Sequence, residues 1–161
     1  MAHYFEYTKT VDAAMPKIIP APMRNDNSDI CCLNFQKDLG TAYRATSPTC
    51  LVAFLNIKAG ERITSSANAT SHIFVVINGS GDSSNSLAKF TWKKGDVITF
   101  SSNNDIHHKA SSDAVLYWVN DEPILNYLGV SPNKNRFKAT HYHFNEMLNA
   151  ARKVNSEKGA L

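Results

Sequence analysis

A chain of 161 residues, 43% of them hydrophobic, buries one core and is too short for two ordinary domains. Seventeen Lys and Arg against fourteen Asp and Glu leave a formal charge of only +3. The basic residues are scattered rather than gathered into the stripe that phosphate tracking needs, so nucleic acid is not an expected partner.

Residues 1–45 carry prolines at 16, 20 and 22 and little periodicity, which predicts an extended N-terminal arm. The opening thirty residues lack the basic start and apolar run of an export signal. No segment approaches the ~20 apolar residues that a bilayer demands, and the chain reads as cytoplasmic. Cys31, Cys32 and Cys50 are odd in number and two are adjacent, so neither a disulfide framework nor a Cys-x-x-Cys metal site is expected.

Cys50 to Ile57 is apolar on both alternating faces and predicts a strand covered on both sides. One small barrel does not cover both, so the outer side calls for a partner and a homodimer is expected. Ile73 to Ile77 repeats the pattern and stops at Asn78-Gly79, which predicts a tight hairpin. The polar run 82–86 reads as a connection, Ala88 to Trp92 as a short strand, Lys94-Gly95-Asp96 as a turn, Val97 to Phe100 as a strand and 101–105 as a loop. Ala114 to Val119 is a further strand, ended at Asn120 to Pro123. Near the C-terminus Asn145 is placed to cap a helix with apolar positions Met147, Leu148, Ala151 and Val154 and with Arg152 and Lys153 in its last turn. Many short strands with turns between them describe an all-β antiparallel sandwich or barrel.

Ala59-Gly60-Glu61, then Val75 to Gly81, then Trp92 to Val97 resemble the cupin superfamily. Asp113 to Leu125, continuing through Leu128-Gly129, resembles more specifically the cupins related to gentisate dioxygenase. The resemblance implies a double-stranded β-helix (jelly-roll) barrel over 46–132, following the arm of 1–45 and followed by a tail and helix over 133–161. It also implies a dimer, and a divalent metal held inside the barrel by His-x-His, a Glu and a later His. Carried over position by position, the first two ligands fall on Ser66 and Asn68, the Glu on His72, and the last His on His107 or His108.

Ser66, Asn68 and His72 share parity, so on an unbroken strand they project to one side with Phe74. Of His107 and His108, being consecutive, only one joins them. A hydroxyl and an amide are poor ligands for a transition metal, and two imidazoles without a carboxylate fall short of the usual iron site. The favoured reading makes His72 and His107 hydrogen-bonded interior or rim residues of a barrel without metal. The other is a reduced site of His72 with His107 or His108, holding Fe, Mn, Ni or Zn. Glu61 and Asp96 read as turn residues; His141 and His143, separated by one residue near the chain end, read as parts of a solvated tail, with metal binding as the alternative.

No Gly-x-Ser-x-Gly elbow and no phosphate-cradling glycine loop occurs. The expectation is a small-molecule-binding protein, non-catalytic or weakly catalytic, whose pocket of Ser66, Asn68, His72, Phe74 and His107 takes a small carboxylate or aromatic molecule. Two alternatives stand beside it: a dioxygenase-like or lyase metalloenzyme with a reduced histidine site, and a structural subunit that pairs with a metal-bearing barrel.

Overall fold

The computed structural model describes residues 27–101 and 105–157, with side chains to 154. Residues 1–26, most of the expected arm, and 102–104 of the expected loop lie outside the described residues. In chain order come β1 (Asp29–Cys32), the one-turn α1 (Gln36–Leu39), β2 (Leu51–Ile57), β3 (Arg62–Ser65), β4 (Ser71–Asn78) and β5 (Ser80–Ser84). Then follow β6 (Lys89–Lys93), β7 (Val97–Ser101), β8 (Ile106–Ala110), β9 (Ala114–Asn120), α2 (Glu122–Leu128), β10 (Thr140–Tyr142) and α3 (Phe144–Glu157).

The strands form two antiparallel sheets, ordered β1-β2-β9-β4-β7-β10 and β3-β8-β5-β6. Period-two alternation sends one set of side chains from each sheet into a shared interior. Ala53, Leu55 and Ile57 come from β2, Phe74 and Val76 from β4, Ile98 and Phe100 from β7, and Leu116 and Trp118 from β9. The smaller sheet answers with Trp92, Ile106 and Ala110. This two-sheet closure is the jelly-roll barrel that the family resemblance implies.

Several local expectations are corrected. Asn78-Gly79 is not a hairpin, because β4 pairs with β7 and β9 whereas β5 pairs with β6 and β8. Gly79 is instead the corner where the chain leaves one sheet for the other. Its φ is 83°, and a Cβ there would lie 2.5 Å from the Asp113 carbonyl and 2.7 Å from the Ala114 Cβ, so only glycine fits. The run 82–86, read as a connection, contributes Asp82, Ser83 and Ser84 to β5. Polar strands of this kind escape a hydrophobic pattern. The stop at Asn120 to Pro123 opens into α2, with Pro123 in its first turn and Gly129 as a left-handed C-cap.

All seven residues of β2 are buried within the single chain, so its two apolar faces do not require a second molecule. The tail is less solvated than predicted, since β10 joins the edge of the larger sheet beside β7. Helix α3 is capped by a different residue from the one expected. The Met147 N–H bonds the His143 carbonyl, placing His143 at the cap, and the Phe144 N–H donates to Asp96 Oδ1 at 2.9 Å. A carboxylate there satisfies an orphan donor and faces the positive end of the helix. The Phe144 ring lies over Gly95, whose φ is 89° and where a Cβ would meet the ring at 2.8 Å. Beyond this first turn Ala151 and Val154 stay exposed.

Candidate functional site

The polar centre of the barrel is built by inward positions of four strands. His108 on β8 is buried, and both of its ring nitrogens are engaged: Nε2 with Ser65 Oγ at 2.9 Å and Nδ1 with Ser83 Oγ at 2.7 Å. Trp92 Nε1 donates to the same Ser83 Oγ at 2.7 Å. An indole N–H only donates, so Ser83 Oγ accepts from Trp92 and keeps its hydrogen and one lone pair for His108 Nδ1. The Ser65 hydroxyl donates to the Ile106 carbonyl at 3.5 Å, so Ser65 accepts from His108 Nε2–H and Ser83 donates to Nδ1. Burial first, then the neighbouring His107 and His72, push His108 down to about 3, so the ring is neutral as this chain of bonds requires.

His72 on β4 is fully buried, and its Nδ1 accepts the Trp118 Nε1–H at 3.3 Å. The Trp118 ring stacks on His72 with centroids 5.9 Å apart and on Phe74 at 5.7 Å. Phe74 in turn meets the His108 ring at 4.7 Å. Side chains therefore fill the space between the two histidines.

The structure brings together only part of the predicted set. His72, Phe74 and His108 converge in the interior. His107 points outward and contacts Thr64 Oγ1 at 3.0 Å. Ser66 is exposed and Asn68 half-buried, while Ala67 and Ala69 between them enter the core. The parity argument fails because the strand is not continuous: β3 ends at Ser65 and β4 begins at Ser71. The intervening backbone is tied to the β9–α2 junction instead. Asn68 N–H donates to Glu122 Oε1 at 3.1 Å, and the Thr70 and Ser71 N–H groups donate to Asp121 Oδ1 at 2.8 and 3.1 Å. Ser65 and Ser83, which do hold the interior histidine, were missed, as serines in short polar strands carry no hydrophobic signal.

A divalent metal at the barrel centre does not fit these residues. A ligating imidazole needs a free lone pair, and each His108 nitrogen is already committed to a serine. No carboxylate or thiol is among the buried polar groups there; buried Asp96 instead belongs to the junction of β7, β10 and α3. The buried Nδ2 of Asn120, which lacks a partner among the described residues, is a donor and the wrong polarity for a cation. Among the described residues one His and carboxylate cluster gathers three ligand atoms, and it lies elsewhere, at Asp96, His141 and His143.

The edge of the core residue Trp118, 3% exposed, lines a pocket of about 210 Å³ together with Ile30, Cys32, Arg44, Leu51, Thr64, Ser66 and Glu122. Arg44 supplies a cation, Glu122 an acceptor, and Thr64 and Ser66 hydroxyls. Burial raises the Cys32 thiol and outweighs the nearby Arg44 charge that lowers it, so Cys32 is an apolar wall rather than a nucleophile.

No family model and no curated protein matches the sequence. Solved structures do match. The salicylate 1,2-dioxygenase of Pseudaminobacter salicylatoxidans aligns at 18% identity and a TM-score of 0.55, over 78% of this chain and 32% of its own. The same enzyme as its gentisate adduct aligns at 18% and 0.52, over 78% and 30%. A cupin 2 conserved barrel domain protein from Leptotrichia buccalis aligns at 15% and 0.49, over 63% and 45%. This chain spans about a third of the length of the dioxygenase chains it matches. At such identities the likeness is one of fold, and the fold is the cupin barrel that the salicylate dioxygenase structures share.

Proposed function

We propose that this chain is a small-molecule-binding cupin-domain protein that does no chemistry at the centre of its barrel. The observation that carries the reading is the Trp118 pocket. It replaces the predicted interior pocket, keeps Ser66 as a lining residue, and loses Asn68, Phe74 and His107 from the set. His72 lies behind the indole and steadies it by accepting its N–H.

The pocket chemistry suits a small hydroxy acid. Arg44 matches a carboxylate, Glu122 accepts a hydroxyl hydrogen, and Trp118 gives an aromatic edge. Its volume is below the range of drug-sized ligands, which favours a single ring. Salicylate and gentisate, which the matched dioxygenases are named for or hold, are hydroxybenzoates, and this chain is proposed to bind that class without cleaving it.

Titration calorimetry of the wild type with salicylate and gentisate at pH 7 is expected to show one site per chain. Arg44→Ala is expected to weaken it by about tenfold or more, since a charge-assisted hydrogen bond contributes about 1.5–3 kcal/mol. An absence of heat at millimolar ligand, or affinity indifferent to Arg44, rejects the pocket and leaves the structural-subunit reading.

A further inference from the structure

Outside the barrel, the β6–β7 turn, β10 and the start of α3 bring three potential ligands to one point. Asp96 Oδ2 lies 3.0 Å from His141 Nε2 and 3.9 Å from His143 Nδ1, and all three ligand atoms fall within 4.8 Å of one another. His141 and His143 are two residues apart at a strand end, which puts them on one side of the chain. Their ring centroids are 4.0 Å apart. We infer that Asp96, His141 and His143 form a surface site for a divalent transition metal of the zinc class, distinct from the barrel centre.

Tetrahedral Zn²⁺ with bonds of roughly 2.0–2.1 Å holds its ligand atoms about 3.3 Å from each other, and the two measured separations bracket that value. Two imidazoles and one carboxylate are also the donor types that borderline metals select. The carboxylate is oriented from behind. Its Oδ2 accepts the Lys93 N–H at 3.1 Å and its Oδ1 the Phe144 N–H at 2.9 Å, as the outer partners of a metal ligand do.

The site has a way in. The Asp96 side chain is 1% exposed and that of His141 10%, whereas that of His143 is 51% exposed, leaving an open side for entry and for a water as fourth ligand. The positive end of α3 beside the site disfavours a bare cation, and the full charge of Asp96 offsets this. A metal here ties the β6–β7 turn, β10 and α3 together, so its binding stabilises the docking of the C-terminal helix.

The competing account is that Asp96 and His141 form only a hydrogen-bonded pin. Full-length protein without an affinity tag, stripped with EDTA, is titrated with Zn²⁺ by calorimetry and with Co²⁺ by absorbance. One equivalent is expected to bind, with the intense visible bands of four-coordinate Co²⁺, and saturating Zn²⁺ is expected to raise Tm. His143→Ala, at an exposed position whose backbone cap is kept, is expected to leave the metal-free protein folded, weaken affinity by roughly tenfold or more, and abolish the Zn²⁺-dependent rise in Tm. Asp96→Asn is expected to lose binding as well; it also disturbs the helix cap, so His143→Ala carries the decision. No saturable binding in the wild type, or equal affinity and equal Tm shift in wild type and His143→Ala, overturns the inference.

Discussion

His108 shows how much of this barrel's behaviour rests on one ring. It is buried, neutral and held by Ser65 and Ser83, and its folded value of about 3 lies below the ordinary 6.5. The unfolded chain therefore takes up a proton near pH 6.5 that the folded chain refuses until about pH 3. Stability from this group is full above pH 6.5 and is lost as pH falls through that window. Between pH 7 and pH 5, where most carboxylates remain ionised, the loss is about 2 kcal/mol. Urea unfolding at the two pH values is expected to show it in the wild type and not in His108→Gln. An equal drop in both proteins refutes the assignment. The sequence placed a histidine near the barrel centre through the family resemblance but did not choose between His107 and His108. That choice follows from the pairing of β8 with β3 and β5, which turns His108 inward.

At the scale of the element, the corners carry the specificity. Gly60 and Gly79 share the left-handed backbone, with φ of 84° and 83°, yet nothing lies within 4 Å of a Cβ at Gly60, whereas Gly79 faces the Asp113–Ala114 backbone at 2.5–2.6 Å. Gly60→Ala is expected to cost only the backbone strain, about 1 kcal/mol. Gly79→Ala adds a clash at the sheet-to-sheet crossover, roughly 2 kcal/mol more. Matching denaturation midpoints for the two variants would contradict the corner assignment. Strands β2, β4, β7 and β9 were legible because their apolar residues run together or alternate. Strands β3, β5 and β8 were not, because Thr64, Ser83 and His107 make them look like loops. The break between Ser65 and Ser71 was also invisible, since it depends on Asp121 and Glu122, which lie some fifty residues away in sequence and accept its N–H groups.

For the whole molecule, one apolar surface open to a partner among the described residues is the outer face of β4 and β9. Ile73 and Ile77 are 41% and 37% exposed, and Ile73 pairs with Val119 and Val75 with Tyr117, making one apolar strip. We propose a homodimer through this strip rather than through β2, which its own chain buries. Light scattering at micromolar concentration is expected to give twice the chain mass, and Ile73→Glu to give the monomer because an unpaired carboxylate then enters the interface. A monomeric wild type rules the dimer out. Among the described residues no helix is long and apolar enough to cross a membrane.

The sequence by itself determined the main strands through alternation and the terminal helix through the amphipathic run after residue 144, and it marked breaks at glycines 60, 79 and 95. The barrel came from the family resemblance, and the break at Gly79 read as a hairpin until the pairing of β4 and β5 with different strands made it a corner. Strands, helix and breaks are local properties, fixed by the two-residue and 3.6-residue periods and by backbone sterics. Only the tertiary structure decided which polar side chains meet. Ser65, Ser83 and His108 come from three strands, the Trp118 pocket from β1, β2, β3, β9, the segments beside them and α2, and Asp96 reaches His141 across 45 residues. Such contacts depend on strand pairing between distant segments, where a shift of one residue turns every side chain to the opposite face.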